Sequence, residues 1–102
     1  MKTGIDIVKI SRIEKAAESE TFVNRVFTES EREYCKNSAS LAGLFAAKEA
    51  YLKALGTGID RRMTEVEIAH DEKGKPYIKG VQNSDLSISH DGDFAVASVI
   101  LW

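Results

Sequence analysis

Residues 41–58 read LAGLFAAKEAYLKALGTG. This run predicts the central helix of the fold, opened by Ser40 and closed by Gly56 and Gly58. Residues placed about 100° apart put Leu41, Phe45, Leu52 and Leu55 on one arc, widened by Leu44 and Tyr51, with the small residues Gly43, Ala46, Ala50 and Ala54 opposite. Lys48 falls inside the apolar arc, while Glu49 and Lys53 sit four residues apart at its edge and are therefore surface neighbours. Taken alone, they form an ordinary helix ion pair worth about 0.2–0.5 kcal/mol, with Lys48 reaching solvent along its aliphatic stem.

Upstream, Gly4-Ile5-Asp6-Ile7-Val8 is strand-like. Alternation sets Ile5 and Ile7 on one face and Gly4, Asp6 and Val8 on the other, and both faces are expected to be buried. A carboxylate in such a strand needs a cation, hydrogen-bond donors or a wet edge. It either accepts backbone N–H bonds at the strand end or converges with Glu49 on a divalent cation while lysines bind anionic oxygens. Magnesium suits the second arrangement, because it takes one or two carboxylates together with waters and substrate phosphates.

Between strand and helix, Ser11/Glu14 and Thr28/Glu31 both have capping-box spacing and predict short helices in SRIEKAAESE and TESEREYCKN. Cys35 lies in the second of these with no nearby His and reads as a packing residue. Beyond the central helix the period changes. TEVEIAH and KPYIKG flank DEKGK, LSISH and DFAVASVILW flank Asp91-Gly92, and two hairpins are expected. The order strand, helices, strands predicts an α+β fold in which helices, one of them long, pack on an antiparallel sheet.

The 102 residues are 43% hydrophobic and 29% charged, the profile of one small domain over residues 1–102. A core of this size is modest, so self-association is a useful supplement. Fourteen Lys and Arg against sixteen Asp and Glu give a formal net charge of −2, which argues against a nucleic-acid binder. One cysteine, no signal-peptide core and no membrane-length apolar run make the cytoplasm the expected compartment and a membrane an unexpected partner.

The combination of GIDIV, LFAAKEAYLKALGTGI, GKPYI and LSISHD closely resembles the holo-[acyl-carrier-protein] synthases, the small bacterial-type 4′-phosphopantetheinyl transferases. The match runs essentially end to end. It implies a magnesium-dependent transfer of phosphopantetheine from coenzyme A to a serine of apo acyl carrier protein, releasing adenosine 3′,5′-bisphosphate. It further implies a role in fatty acid biosynthesis and a homotrimer with active sites between subunits. On this resemblance Asp6 and Glu49 are the metal ligands, and Glu49 and Lys53 the catalytic residues. Coenzyme A is met by Lys48, Lys53, Gly56 and Gly58, with His90 contacting a phosphate from the adjacent subunit, and Arg12 docks the acidic carrier. Val8 stands where larger, two-lobed members often carry a second acid, and Leu44 where small-type relatives frequently carry Arg. The serine proton can go to a metal-associated water, to Glu49 or to a deprotonated Lys53. A non-catalytic trimeric module that binds a nucleotide or a carrier without turnover, and a metal-dependent phosphohydrolase, are the competing functional readings.

Overall fold

The computed structural model describes residues 1–56 and 63–102. Strand β1 (Lys2–Lys9) leads into three short helices, α1 (Ile10–Ala16), α2 (Glu20–Val26) and α3 (Glu29–Tyr34), and then into the long helix α4 (Ser38–Leu55). A 3₁₀ turn (Met63–Glu65) precedes the hairpin β2 (Ile68–His70) and β3 (Pro76–Ile78) and the longer hairpin β4 (Ser84–Asp91) and β5 (Phe94–Leu101). The main sheet is antiparallel in the order β1-β5-β4, while β2 and β3 form a two-stranded sheet of their own. This is the expected α+β arrangement, with the long helix lying on the sheet. Among the described residues, no helix is long and apolar enough to cross a membrane.

Local signals account for most of the boundaries. Thr28 and Glu31 form the anticipated capping box, with Thr28 Oγ1 accepting from Glu31 N and Glu31 Oε1 accepting from Thr28 N. Asn37 caps α4, its side chain accepting from Ser40 N, and Gly56 closes the helix at φ +76°, a left-handed conformation in which glycine avoids the Cβ penalty. Helix α2, capped by Ser19, was not anticipated. The Ser11/Glu14 box does not form. β1 stays paired as far as Lys9, opposite Phe94, and Ile10 N donates to Asp93 O, so the helix starts at Ile10 and Ser11 already lies inside it. Glu14 accepts instead from the Ser38 hydroxyl. In the second hairpin the loop is Gly92-Asp93, one residue later than expected, because Asp91 pairs with Phe94.

The small residues of α4 meet the sheet, with Ala42, Ala46, Ala47 and Ala50 fully buried, and the leucine arc is covered in part: Leu44, Leu52 and Tyr51 are buried, whereas Leu41, Phe45 and Leu55 are only partly covered. Smallness lets α4 lie close on β1 and β5. At the tightest point there is no room even for a methyl group, since a Cβ on Gly4 would fall inside the Ala50 carbonyl oxygen and 2.8 Å from Ala54 N. Gly4→Ala is therefore expected to destabilise the protein by about 1–3 kcal/mol or more, because backbone rather than a flexible side chain blocks the new atom. Urea denaturation measures it, and a loss below about 0.5 kcal/mol, the size of an ordinary surface change, would mean that β1 can step away from α4.

The two faces of β1 also differ from expectation. Gly4 and Val8 are buried under α4, with Asp6 half-buried beside them, but Ile5 and Ile7 are 64% and 63% exposed. They share the outer face of the sheet with Phe94 and Ile100, which are 45% and 40% exposed. An apolar sheet face bare in the single chain is a surface for a partner.

Candidate active site

β1 and α4 bring the two acids singled out in the sequence into one electrostatic neighbourhood. Asp6 sits on the helix-facing side of β1, opposite Ala97 of β5, with 15% of its side chain exposed. Glu49 and Lys53 lie one turn apart on α4, and Lys53 reaches back to β1, donating to Asp6 Oδ1 at 3.0 Å and to Ile5 O at 3.1 Å. The ammonium keeps a third N–H and remains largely in solvent. Burial pushes the Glu49 carboxyl above its usual range and the Asp6 charge pushes it further, while Lys53 and Arg12 oppose the shift. Arg12, exposed on α1, thus borders the same acidic point from a third element. Among the described residues, no group of three or more His, Cys, Asp or Glu converges on one point. Asp6 beside a Glu49 carboxyl whose charge burial disfavours fits a cation that takes its remaining ligands from water and phosphate.

The other end of α4 carries a second feature. His90, near the end of β4, sits with Nε2 2.8 Å from the carbonyl of Ala39 in the first turn of α4. It borders a cleft of about 250 Å³ lined also by Tyr34, His70, Gly74, Pro76 and Ile88. Tyr34 and His70 stack there with ring centroids 3.8 Å apart and planes 8° from parallel, and burial lowers the His70 pKa. Neither ring was singled out in the sequence. The only signal for this wall was GKPYI, whose Gly74 and Pro76 line it. Leu44, at the position where relatives often have Arg, is buried beside the same cleft. Ala39 and Glu49 are ten residues apart, so the two features are separated by about 15 Å along the helix axis. A single chain holds the acids and His90 at opposite ends of one element.

Lys48 is corrected. Its side chain is fully buried, and its three N–H groups go to Glu31 Oε1, to Val26 O at 2.6 Å and to Met63 O at 3.1 Å, leaving no donor for a ligand phosphate. Burial pulls the ammonium below its usual range, and Glu31 opposes that loss of charge. Glu31 also accepts from Ile68 N at 2.7 Å and from Thr28 N at 2.8 Å, so the pair ties α4 to α3, to the end of α2 and to β2. Gly56 is exposed at the end of α4, and Gly58 lies outside the described residues. Cys35, half-buried at the end of α3, has its thiol pushed up to about 11 by burial and then by Glu31, which fits packing and not nucleophilic chemistry. A larger cavity of about 640 Å³, lined by Asn24, Arg25, Val26, Met63 and Thr64, contains none of the candidate site residues among the described residues.

Residues 2–99 match the 4′-phosphopantetheinyl transferase superfamily. The chain is 47% identical to the holo-[acyl-carrier-protein] synthase of Nautilia profundicola, covering 96% of each protein, and 44% identical to that of Campylobacter fetus with the same coverage. Its backbone is similar to that of the Helicobacter pylori holo-[acyl-carrier-protein] synthase in complex with coenzyme A, with a TM-score of 0.90 and 38% identity over 98% of this chain and 99% of that one. The Bacillus anthracis holo-(acyl-carrier-protein) synthase, in complex with CoA (3′,5′-ADP), gives a TM-score of 0.84 and 42% identity over 96% of this chain and 92% of that one.

Proposed function

Because the chain belongs to the 4′-phosphopantetheinyl transferase superfamily and is an enzyme of the holo-[acyl-carrier-protein] synthase kind, we propose that it transfers phosphopantetheine from coenzyme A to a serine of apo acyl carrier protein. The observation that carries this reading is the pairing of Asp6 and Glu49, from two elements, with Lys53 hydrogen-bonded to Asp6. In the reaction the serine oxygen forms a bond to the β-phosphorus of the coenzyme A diphosphate. The bond from that phosphorus to the bridging oxygen breaks, and adenosine 3′,5′-bisphosphate leaves with the electron pair. Asp6 and Glu49 would hold the Mg²⁺, which when bound offsets the charge of the diphosphate and of the departing nucleotide. Lys53 directs its remaining N–H to a diphosphate oxygen and adds fixed positive charge where negative charge gathers. Glu49 is the chain's own group at hand to receive the serine proton, while Lys53 keeps its charge. Arg12 and its exposed flank on α1 meet the acidic carrier, so the serine is delivered beside Glu49.

We assign the enzyme to the cytoplasm and to the supply of carriers for fatty acid biosynthesis. Incubating it with Mg²⁺, coenzyme A and an apo carrier, then weighing the carrier, tests the transfer. The carrier is expected to gain the mass of phosphopantetheine. Bound coenzyme A with an unmodified carrier would point to a non-catalytic module, and nucleotide breakdown without any carrier to a hydrolase.

We further propose a homotrimer. The bare apolar face of Ile5, Ile7, Phe94 and Ile100 supplies the surface for self-association, and the roughly 15 Å of helix between Glu49 and Ala39, the carbonyl that holds His90, suits a ring in which one subunit's acid end meets its neighbour's His90 cleft. In a heterologous contact each interface forms a complete site of its own. Two defective proteins should then rescue one another. If Glu49→Gln and His90→Ala are each poorly active, co-refolding equal amounts should leave roughly a quarter of the interfaces with both halves intact, for random closed rings. Activity no higher than the parental average, with mixed trimers demonstrated by mass spectrometry, would show that Glu49 and His90 act within one subunit.

A further inference from the structure

We propose that Gly43 is the positioning residue for His90, and that its missing side chain, together with the Ala39 carbonyl, fixes which imidazole nitrogen is left for a ligand. Three observations meet at this point. A Cβ on Gly43 would lie 3.0 Å from His90 Nε2, 3.3 Å from His90 Cε1 and 3.0 Å from Ile88 Cγ2, so a side chain at position 43 would press the imidazole and Ile88 aside by a few tenths of an ångström. The same Nε2 is 2.8 Å from Ala39 O. A carbonyl oxygen only accepts, so Nε2 carries a proton and donates, and Nδ1 is the nitrogen that remains for a ligand, donating to a phosphate oxygen when the ring carries its second proton.

The surrounding sequence sharpens the point. Where α4 needs only smallness it uses alanine, fully buried at positions 42, 46, 47 and 50. Glycine inside a helix is costly relative to alanine, since it gives up more backbone freedom on folding. It stands at the buried position where a methyl group would press against the His90 ring. Gly43 N–H and His90 Nε2–H also share one acceptor, because the helix pattern directs the residue 43 amide to the residue 39 carbonyl. The ring of this exposed residue is therefore held by a contact and a hydrogen bond to the same turn of α4, and lies in a defined place before any ligand arrives.

The functional part of the inference rests on the reading of His90 as a coenzyme A phosphate contact, and the test separates the two. In the native protein, long-range ¹H–¹⁵N spectra of the imidazole should show His90 with its proton on Nε2; a proton on Nδ1 alone would overturn the proposal without any variant. Gly43→Ala should displace the ring and shift those resonances, while thermal unfolding occurs at the same or a higher temperature, since the helix gains alanine. The KM for coenzyme A should rise about tenfold, the effect expected for one hydrogen bond to a charged group, with kcat changed less than about twofold. His90→Ala should raise the same KM, and adding Gly43→Ala to it should raise it no further. Unchanged His90 resonances in Gly43→Ala, or KM effects of the two substitutions that multiply, would overturn the positioning role. Shifted resonances with no change in KM in either variant would uphold the seat and overturn the phosphate contact.

Discussion

Asp6→Asn and Glu49→Gln are each expected to lower turnover by at least about a hundredfold while leaving the protein folded. Both substitutions keep the shape and remove the charge. A divalent cation bound to a diphosphate contributes several kcal/mol to stabilising the transition state, and each 1.36 kcal/mol is a factor of ten. The two positions are not equivalent. Asp6 also pairs with Lys53, so its amide variant loses that ion pair as well as weakening the cation site, although Ile5 O still accepts from the ammonium. Burial and the Asp6 charge push the Glu49 carboxyl above its usual range, so a bound cation would offset a charge that the folded chain alone disfavours. Rates of carrier mass gain at saturating substrates, measured beside circular dichroism, decide the matter. Full activity in either variant would remove that residue from the metal site, and wild-type activity unaffected by a chelator would remove the metal itself.

Lys48→Met is expected to cost about 3–5 kcal/mol of stability, the range for taking one partner from a buried ion pair. That is a large share of the roughly 5–15 kcal/mol that holds a domain together. The substitution leaves Glu31 charged in a fully buried position and strips the carbonyls of Val26 and Met63 of their donor. Replacing both partners by apolar residues, which often repairs such a pair, should fail here. Glu31 also accepts from the amides of Thr28 and Ile68, and an apolar side chain would orphan both. Urea denaturation should place Lys48→Met and the double variant well below wild type, with the KM for coenzyme A unchanged in the folded fraction. A loss under about 1 kcal/mol, no more than a typical single substitution, would refute the account.

The sequence showed what depends on near neighbours. The Thr28/Glu31 box, the Gly56 cap and both hairpins rest on spacings of a few residues, and each is present. The Ser11/Glu14 box had the same spacing and failed because a distant strand, β5, keeps β1 paired as far as Lys9. The two arcs of α4 did not say which one meets the sheet, because close approach to β1 selects by size, and Gly4 and Ala50 set the distance. Asp6, Glu49 and Lys53 were singled out as site candidates by the family resemblance, since taken alone they also read as a strand-end Asp and an ordinary helix ion pair, and the fold brings them into one neighbourhood. Lys48 misled for a long-range reason. Its partner Glu31 already had a local capping role, and nothing seventeen residues away in the sequence advertised a second one. Tyr34 and His70 meet only when α3 and β2 are folded together.

Holding the acids at one end of α4 and the His90 seat at the other makes the length of that helix a fixed gauge. One residue inserted between Ala39 and Glu49 would turn the acid end by about 100° and lift it by 1.5 Å, and even seven residues, which nearly restore the face, would move it by about 10.5 Å. Substitutions there can be absorbed one at a time, but insertions and deletions cannot. Related chains should differ in length in their loops and turns and keep the count between these two points constant.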